Sequence, residues 1–199
     1  MKTYQVGGSV RDELLGVEPH DKDWVVVGSS PEKMIEAGFK PIGKDFPVFL
    51  HPDTKEEYAL ARTERKSGKG YHGFKFYYDP SVTLEDDLLR RDLTINAIAK
   101  DNQGRLIDPF NGQDDLFNKK LRNVSNAFCE DPLRAIRLGR FLSYKHISDF
   151  SITPQLKAIV KKILDSGELN YLSGDRVFAE IDKAMQNHFP EKFFNFVVE

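Results

Sequence analysis

Two aspartates, Asp21 and Asp23, are separated by one residue and precede Trp24 and a run of three valines. The β-branched run ends at Gly28, which predicts a strand. Residues two apart on a strand project from the same face, so their carboxylates repel each other unless a cation lies between them. Carboxylate oxygens are ligands that Mg²⁺ prefers. The pair therefore predicts a metal site, and the alternative is a charged turn partly neutralised by Lys22.

A second feature precedes the aspartates. Residues 4–6 predict a strand that runs into Gly7 and Gly8, and residues 10–15 predict a short helix that stops at Gly16. Glycines let the backbone approach a ligand, and the free N–H groups of a helix start attract phosphate oxygens. Arg11 adds a charged donor to such a site. The alternative is a tight turn without a ligand.

Two later segments combine arginines with carboxylates. Residues 90–97 begin Arg90-Arg91-Asp92 and predict the start of a helix. Its polar side chains either contact a nucleotide or only cap the helix and carry solvated charges. In residues 130–140, Asp131 precedes a proline and predicts a helix cap. Arginines follow at every third position and lie on one side of that helix; they are Arg134, Arg137 and Arg140. They are either a functional row of arginines or an ordinary solvated helix face.

The remaining pattern predicts an α/β unit followed by helices. Ser30 and Pro31 predict a helix that ends near Gly38, and further strands are expected at residues 48–50, 57–61 and around 105–107. Glu57, on one of these strands, is a candidate third metal carboxylate or an exposed strand residue. Residues 63–81 predict a long loop, with or without a weak hairpin. Helices are expected at about residues 131–143, 154–165, 174–186 and 190–198.

Composition excludes several classes of protein. The 199 residues carry 29 Lys and Arg against 31 Asp and Glu, a net charge of -2, which argues against a broadly basic nucleic-acid binder. The single cysteine, Cys129, excludes an internal disulfide framework and leaves too few thiols for a structural zinc site. No apolar run is long enough for a membrane helix and no signal peptide is visible, so we expect a cytoplasmic location without a membrane partner.

These segments, in this order, resemble the class II CCA-adding enzymes, which are tRNA nucleotidyltransferases of the DNA polymerase β superfamily. The resemblance is closest to the bacterial long form and extends over essentially the whole chain. Each motif alone is unspecific, whereas four in sequence are strongly specific. The matching residues fall within 7–16, 21–23, 90–97 and 130–134, with further similarity at 108–112 and 176–180.

The resemblance implies an α+β fold. It predicts a polymerase β-like catalytic head at residues 1–115, with a small mixed sheet and flanking helices, and an all-helical neck at residues 116–199. Family members continue into body and tail regions that bind tRNA, and the long form adds a phosphohydrolase domain. We expect those regions to be absent here, so the resemblance leaves productive tRNA binding in question.

The resemblance also implies residue roles. Gly8 and Arg11 are expected to bind the nucleotide triphosphate, while Asp21 and Asp23 are expected to be catalytic and to bind Mg²⁺. The expected nucleotide contacts are Arg91 at the nucleotide, Asp92 near the ribose, Asp131 and Arg134 at the base edge, and Arg137 and Arg140 completing the site. The implied reaction is attack by the 3′-hydroxyl of tRNA on CTP or ATP, with release of pyrophosphate.

Base recognition can be checked physically. Cytosine and adenine both present an amine donor beside a ring-nitrogen acceptor, whereas uracil and guanine present the reverse order. An aspartate beside an arginine therefore suits C and A without a nucleic-acid template. In the family, the loop corresponding to residues 63–81 is associated with the switch to adding A, which favours CCA addition over addition of CC alone.

Three alternatives to a CCA-adding enzyme are open at this point. A bacterial poly(A) polymerase of the same family would use ATP only. A truncated nucleotide- or RNA-binding remnant would not be expected to retain both Asp21 and Asp23. Half of a split enzyme would need a separate partner chain that supplies the tRNA-binding body.

Overall fold

The computed structural model describes residues 1–42, 47–66 and 74–198. The strands are β1 (Lys2–Val6), β2 (Asp23–Val27), β3 (Lys40–Pro41), β4 (Val48–Leu50), β5 (Glu57–Leu60), β6 (Thr63–Lys66), β7 (Phe74–Tyr77), β8 (Ala99–Asp101), β9 (Leu106–Ile107), β10 (Lys120–Leu121) and β11 (Ser151–Ile152). The helices are α1 (Gly8–Leu14), α2 (Pro31–Glu36), α3 (Leu84–Leu89), α4 (Gly112–Phe117), α5 (Leu133–Ser143), α6 (Pro154–Asp165), α7 (Gly174–Met185) and α8 (Pro190–Val198).

The main sheet is mixed. In the described ranges it has seven strands in the order β3-β4-β5-β2-β1-β8-β9. Strand β2 runs antiparallel to β1 and parallel to β5, while β8 pairs antiparallel with the other side of β1. A sheet with helices around it, followed by helices α5 to α8, confirms the predicted α+β fold. The expectation that residues 116–199 are all helical is wrong in one respect, because β10 and β11 pair there as a short parallel sheet.

Most predicted elements agree with the structure to within one or two residues. Helix α2 has the predicted start, because the side chain of Ser30 accepts a hydrogen bond from the backbone of Lys33 and Pro31 lies in the first turn. Helix α5 begins at Leu133, two residues later than the predicted start at about residue 131. Pro132 takes the N-cap position that was predicted for Asp131, and Oδ1 of Asp131, one residue earlier, accepts a hydrogen bond from the backbone N–H of Leu133 at 3.2 Å.

The prediction of a helix start at residues 90–97 is wrong. Helix α3 ends before this segment, and the chain then forms a single 3₁₀ turn, Thr94–Asn96, that leads into the unpredicted strand β8. The hydroxyl of Thr94 donates a hydrogen bond of 2.6 Å to Asp115, and Leu93 and Ile95 are fully buried. Tertiary packing on both sides of the turn therefore overrides the local helical pattern.

The loop predicted at residues 63–81 carries the hairpin that was considered as its alternative form. Strands β6 and β7 pair antiparallel with Thr63 opposite Tyr77. Residues 67–73, between the two strands, lie outside the described residues.

One hydrophobic core joins the sheet-bearing part of the chain to its helices. Val10 of α1 and the 3₁₀ turn residue Ile95 pack in the same cluster as Leu138 of α5 and Leu156 of α6. The main sheet and α5 are therefore packed into one structure, which fixes the α5 side chains relative to the strand ends.

Replacing Gly112 by Ala should destabilise the protein by about 3 kcal/mol, because a buried clash with backbone is among the costlier forms of overpacking. A Cβ at this position would lie 2.3 Å from the carbonyl oxygen of Thr94 and 2.8 Å from Ile98. Gly174 provides a matched control, since it also begins a helix and a Cβ there meets no described atom within 4 Å. Gly174→Ala should leave stability unchanged or raise it slightly. Equal unfolding midpoints in urea for the two variants would contradict this account.

Candidate functional site

The catalytic candidates meet at one edge of the main sheet. Because β1 and β2 are antiparallel, Val6 at the end of β1 pairs with Asp23 at the start of β2. Because β2 and β5 are parallel, Asp23 is also in register with Glu57. The Gly7–Gly8 turn directly follows Val6. Strand topology therefore places the glycine turn and two carboxylates at the same edge.

This edge opens into a cleft of about 540 Å³. Its lining includes nine of the ten residues predicted for the site, namely Gly8, Arg11, Asp23, Arg91, Asp92, Asp131, Arg134, Arg137 and Arg140. Eight lining residues are arginines and five are carboxylates. A chain with a net charge of -2 thus gathers an excess of positive charge at one place, as expected for an anionic ligand.

Asp21 is the predicted site residue that is not among those lining the cleft. The expectation that it shares a strand face with Asp23 is wrong, because β2 begins at Asp23 and Asp21 lies in the bend before it. Its side chain is 86% exposed and lies 3.0 Å from Nδ1 of His20. Asp21 still acts on Asp23 electrostatically, so the two carboxylates are neighbours.

Asp23 has the electrostatics of a carboxylate without enough positive charge around it. Asp23 is exposed at the start of β2, and its pKa is raised mainly because the walls of the cleft partly desolvate it; the charge of Asp21 adds to this. The charge of Arg91 opposes the shift. In the part of the chain that the structure describes, no three His, Cys, Asp or Glu side chains form a group that could bind a metal ion. The structure therefore does not support Glu57 as a third metal carboxylate, although Glu57 lines the cleft.

The glycine turn lies directly against two arginines. Gly7 has φ +75°, a left-handed conformation that favours glycine, and a Cβ there would lie 3.0 Å from Nη1 of Arg91. A Cβ on Gly8 would lie 3.4 Å from Nη2 of Arg11. Arg11 is itself fixed, because its Nε donates to Asp12 at 2.8 Å and its Nη1 donates to Asn96 at 2.8 Å. The turn thus presents backbone and guanidinium groups on the same side.

Asp92 is a buried anchor for the helical part of the site. Its Oδ2 accepts hydrogen bonds from Nε and Nη2 of Arg137, at 3.0 and 2.8 Å. Its Oδ1 accepts from the side chain of Asn96 and from the backbone N–H of Leu93. Although burial opposes ionisation, Arg137 and the other donors hold the pKa of Asp92 far below its usual range and raise the pKa of Arg137. Asp92 therefore orients Arg137, and its carboxylate already has four donors.

A second buried carboxylate, Asp87 of α3, orients the arginine pair that follows it. Oδ1 of Asp87 accepts from Nη2 of Arg90 at 2.8 Å, and Oδ2 accepts from Nη2 of Arg91 at 3.1 Å. The backbone N–H of Arg62 donates to the same carboxylate. Burial alone would raise its pKa, but these groups lower it to about 2.

The low pKa of Asp87 predicts how stability depends on pH. A carboxyl whose pKa is lower in the folded state stabilises the protein above its unfolded pKa, and this contribution is lost as the pH falls through the folded value. For Asp87 it should be lost between about pH 4 and pH 2 and amount to about 2 kcal/mol. Urea unfolding midpoints at several pH values should therefore fall more steeply for the wild type than for Asp87→Asn. Parallel curves for the two proteins would contradict the prediction.

The two predicted base readers are held by protein groups. Arg134 donates from Nη1 to the carbonyl of Ala127 at 2.8 Å and from Nη2 to the carbonyl of Arg90 at 2.7 Å. Oδ2 of Asp131 accepts from Nη2 of Arg176, in α7, at 2.9 Å. These hydrogen bonds fix the side chains of Arg134 and Asp131 at the cleft. They use some, but not all, of the donors of Arg134 and the acceptors of Asp131.

Two acidic residues that pair with arginines of the cleft had no role in the sequence-based prediction, and one of them, Glu64, lines it. Glu64, in β6, accepts a 2.6 Å hydrogen bond from Nη1 of Arg90, so the hairpin is tied to the site. Glu180, in α7, pairs with Arg140 and lies 3.8 Å from Arg137. Glu180 lies in the segment 176–180, whose similarity to the family was already noted. Glu64 is a single acidic residue at the base of a loop, and no sequence motif marks it.

In the described part of the chain, no helix is long and apolar enough to cross a membrane.

A mixed sheet, a glycine turn at its edge and an arginine-lined cleft define an α+β head whose charge suits an anionic ligand. The family model for the poly A polymerase head domain matches residues 3–122. The chain belongs to this family.

Relatives and solved structures agree with this assignment. The chain is 55% identical to a multifunctional CCA protein of Teredinibacter turnerae over 193 residues, covering 97% of this chain and 47% of the relative. It is 57% identical to a CCA-adding enzyme of Marinobacter nauticus over 199 residues, covering 100% of this chain and 53% of the relative. The chain thus spans about half the length of the curated relatives it matches.

Among solved structures, the CCA-adding enzyme of Bacillus stearothermophilus in complex with CTP has a TM-score of 0.80 at 28% identity. That comparison covers 98% of this chain and 47% of the other. The Thermotoga maritima CCA-adding enzyme complexed with tRNA has a TM-score of 0.75 at 28% identity, covering 99% and 46%. The fold of this chain is therefore that of the corresponding half of these enzymes.

Proposed function

We propose that this chain is the nucleotide-binding and catalytic part of a tRNA nucleotidyltransferase that adds C, C and A to the 3′ end of tRNA. CTP and ATP are the nucleotide substrates, and selection between nucleotides needs no nucleic-acid template. The observation that carries the proposal is the single cleft lined by nine of the predicted site residues. The names of the relatives, CCA-adding enzyme and multifunctional CCA protein, support it. In this proposal residues 1–115 are the catalytic head and residues 116–199 the helical neck.

The glycine turn is the phosphate end of the site. The backbone at Gly8 and the guanidinium of Arg11 bind the triphosphate, because N–H donors and a planar cation match phosphate oxygens. Arg91 adds a second cation against Gly7. Their fixation by Asp12, Asn96 and Asp87 means that little side-chain entropy is lost when the ligand binds.

Asp21 and Asp23 are the proposed Mg²⁺ ligands, and their donor set fits this ion. Both supply carboxylate oxygens, and the raised pKa of Asp23 marks a negative charge that a cation would stabilise. Bound there, Mg²⁺ would neutralise charge on the triphosphate and polarise the α-phosphorus. That family members generally use divalent metal ions supports the assignment.

The reaction is an in-line displacement at the α-phosphorus. The 3′-hydroxyl of tRNA loses its proton to water and its oxygen forms a bond to the α-phosphorus, while the bond from that phosphorus to the bridging oxygen breaks and pyrophosphate leaves. The arginines of the cleft stabilise the charge on the departing pyrophosphate, and the fixed triphosphate aligns the reacting atoms.

Asp131 and Arg134 read the base in this proposal. The carboxylate accepts from the exocyclic amine of C or A, and the guanidinium donates to the adjacent ring nitrogen. U and G present the opposite order and leave both protein groups mismatched. Anchoring of Arg134 on two backbone carbonyls supports the role, because one rigid pair then serves both nucleotides.

A poly(A) polymerase is the second candidate, because the matching family is described by that activity. Such an enzyme would add A only and would continue past one residue. The two candidates therefore differ in their use of CTP.

Labelled nucleotide incorporation tests the proposal. A tRNA that lacks its last three residues should take up two C from CTP alone and a single further A when ATP is added. A tRNA ending in CC should accept one A. Incorporation of A without any use of CTP would establish the alternative, and no incorporation above an Asp21→Ala control would contradict the proposal.

A further inference from the structure

Two aromatic residues at the end of α5 contact arginines from both halves of the site. Phe141 and Tyr144 both line the cleft. The guanidinium carbon of Arg11, in α1, lies 5.7 Å from the ring centre of Phe141 and 5.5 Å from that of Tyr144. That of Arg140, in α5, lies 4.7 and 5.5 Å from the same two rings. These distances are within the range of cation–π attraction.

Tyr144 adds a hydrogen bond and a ring stack to these contacts. Its hydroxyl accepts a hydrogen bond from Nη1 of Arg140. Its ring stacks on His146, with ring centres 5.5 Å apart and planes inclined by 14°. Nε2 of His146 lies 3.0 Å from Oδ1 of Asp12, the same oxygen that accepts from Nε of Arg11. Tyr144 therefore acts on Arg11 directly through its ring and indirectly through His146 and Asp12.

Contact with a ring face restrains a guanidinium without using its N–H donors, because the attraction is to the π system. The donors that remain lie in the guanidinium plane and are available to an anion. Phe141 is only 3% exposed and packs in the main core, so the ring pair is anchored in the protein interior. A restrained cation loses less entropy when it binds phosphate.

We propose that Phe141 and Tyr144, here called the aromatic platform, position Arg11 and Arg140 for the polyphosphate of the incoming nucleotide. This inference rests on the proposed nucleotide site. The ligand class is a polyphosphate, independent of the base, because the platform contacts Arg11 beside the glycine turn. The platform is a positioning element and takes no part in bond formation.

Binding measurements on Tyr144 variants test the platform. The probes are CTP, ATP and inorganic tripolyphosphate, titrated into the protein in the presence of Mg²⁺. Tyr144→Leu removes ring and hydroxyl and should weaken binding of all three about tenfold, because two cation–π contacts and one hydrogen bond that restrain the arginines are lost. Tyr144→Phe keeps the ring and should weaken them about threefold.

Tyr58→Leu is the matched control. Tyr58 is 9% exposed, and its ring contacts Trp24, Phe39 and His51 in a separate core cluster. This variant should lose stability while keeping the affinities of the wild type, which separates positioning from a general loss of packing.

The outcomes distinguish the platform from the nucleotide proposal. Unchanged affinities in Tyr144→Leu, or a loss confined to one nucleotide, would overturn the platform. A third outcome is that the wild type binds tripolyphosphate and shows no preference among nucleotides, and that Tyr144→Leu weakens this binding about tenfold. That outcome would support the platform and overturn the proposed function. No binding of any probe by the wild type would overturn both.

Discussion

Replacing Asp23 by Asn should lower nucleotidyl transfer about a thousandfold while the protein stays folded. The carboxylate lies at the start of β2, beside the glycine turn, and is one of the two proposed metal ligands. An amide keeps the shape of the side chain but loses the charge that binds Mg²⁺. Loss of a single electrostatic contact to the transition state lowers catalysis by about two to three orders of magnitude. Rates with labelled CTP at saturating nucleotide would measure the effect.

The stability of Asp23→Asn should not fall, although its activity does. The raised pKa of Asp23 means that the folded protein disfavours its negative charge at neutral pH. A neutral isostere removes that charge and its repulsion from Asp21, so the melting temperature should be unchanged or slightly higher.

Glu57→Gln is the informative comparison, because Glu57 is in register with Asp23 on the next strand. No group of three metal-binding side chains is found in the described ranges, so this variant should lose less than about tenfold in rate. An equal loss in Glu57→Gln and Asp23→Asn would show that Glu57 is a third ligand.

Asp92→Asn should unfold far more readily than the wild type and bind nucleotide poorly. The carboxylate of Asp92 is buried and pairs with Arg137 through two hydrogen bonds. Breaking a buried ion pair costs about 3–5 kcal/mol, because the remaining charge is left without its partner. Arg137 is 35% exposed and water can solvate part of it, so we expect about 3 kcal/mol, at the lower end of that range. The melting temperature should therefore fall by about 8 °C.

Asp101→Asn is the control for this second prediction. Asp101 pairs with Nε of Arg105 at 2.8 Å, but Arg105 is 74% exposed. Exposed pairs contribute little to stability because water and salt screen them, so the variant should unfold close to the wild type. Nucleotide affinity should fall about tenfold in Asp92→Asn and not at all in Asp101→Asn. Similar melting temperatures for the two variants would contradict the anchoring role of Asp92.

The sequence patterns predicted the strands and helices best where local chemistry and packing agree. The valine run of β2 and the capped start of α2 are such cases. The arginine row on α5 was also predictable, because a helix fixes the relative directions of side chains three residues apart. All three of its arginines line the cleft.

Prediction failed where distant contacts decide the structure. The segment around Thr94 has a helical pattern, yet burial of Leu93 and Ile95 and a hydrogen bond to Asp115 make it a single turn before β8. Asp21 fits the period of a strand, but pairing of β1 with β2 begins at Asp23.

Residues that act by orienting others were also missed. Asp87 on α3 and Tyr144 after α5 have ordinary local surroundings, and their importance arises from the arginines that the fold brings to them. A sequence motif identifies groups that contact a ligand more readily than it identifies the groups that fix them.

In the proposed function, one cleft of this chain binds both CTP and ATP and rejects the other two nucleotides. The most direct test is equilibrium binding of CTP, ATP, UTP and GTP to the wild type and to Arg134→Ala in the presence of Mg²⁺. CTP and ATP should bind with similar dissociation constants, and UTP and GTP at least about tenfold more weakly, a preference that Arg134→Ala should abolish. Equal binding of all four nucleotides by the wild type, or binding of ATP alone, would contradict the account.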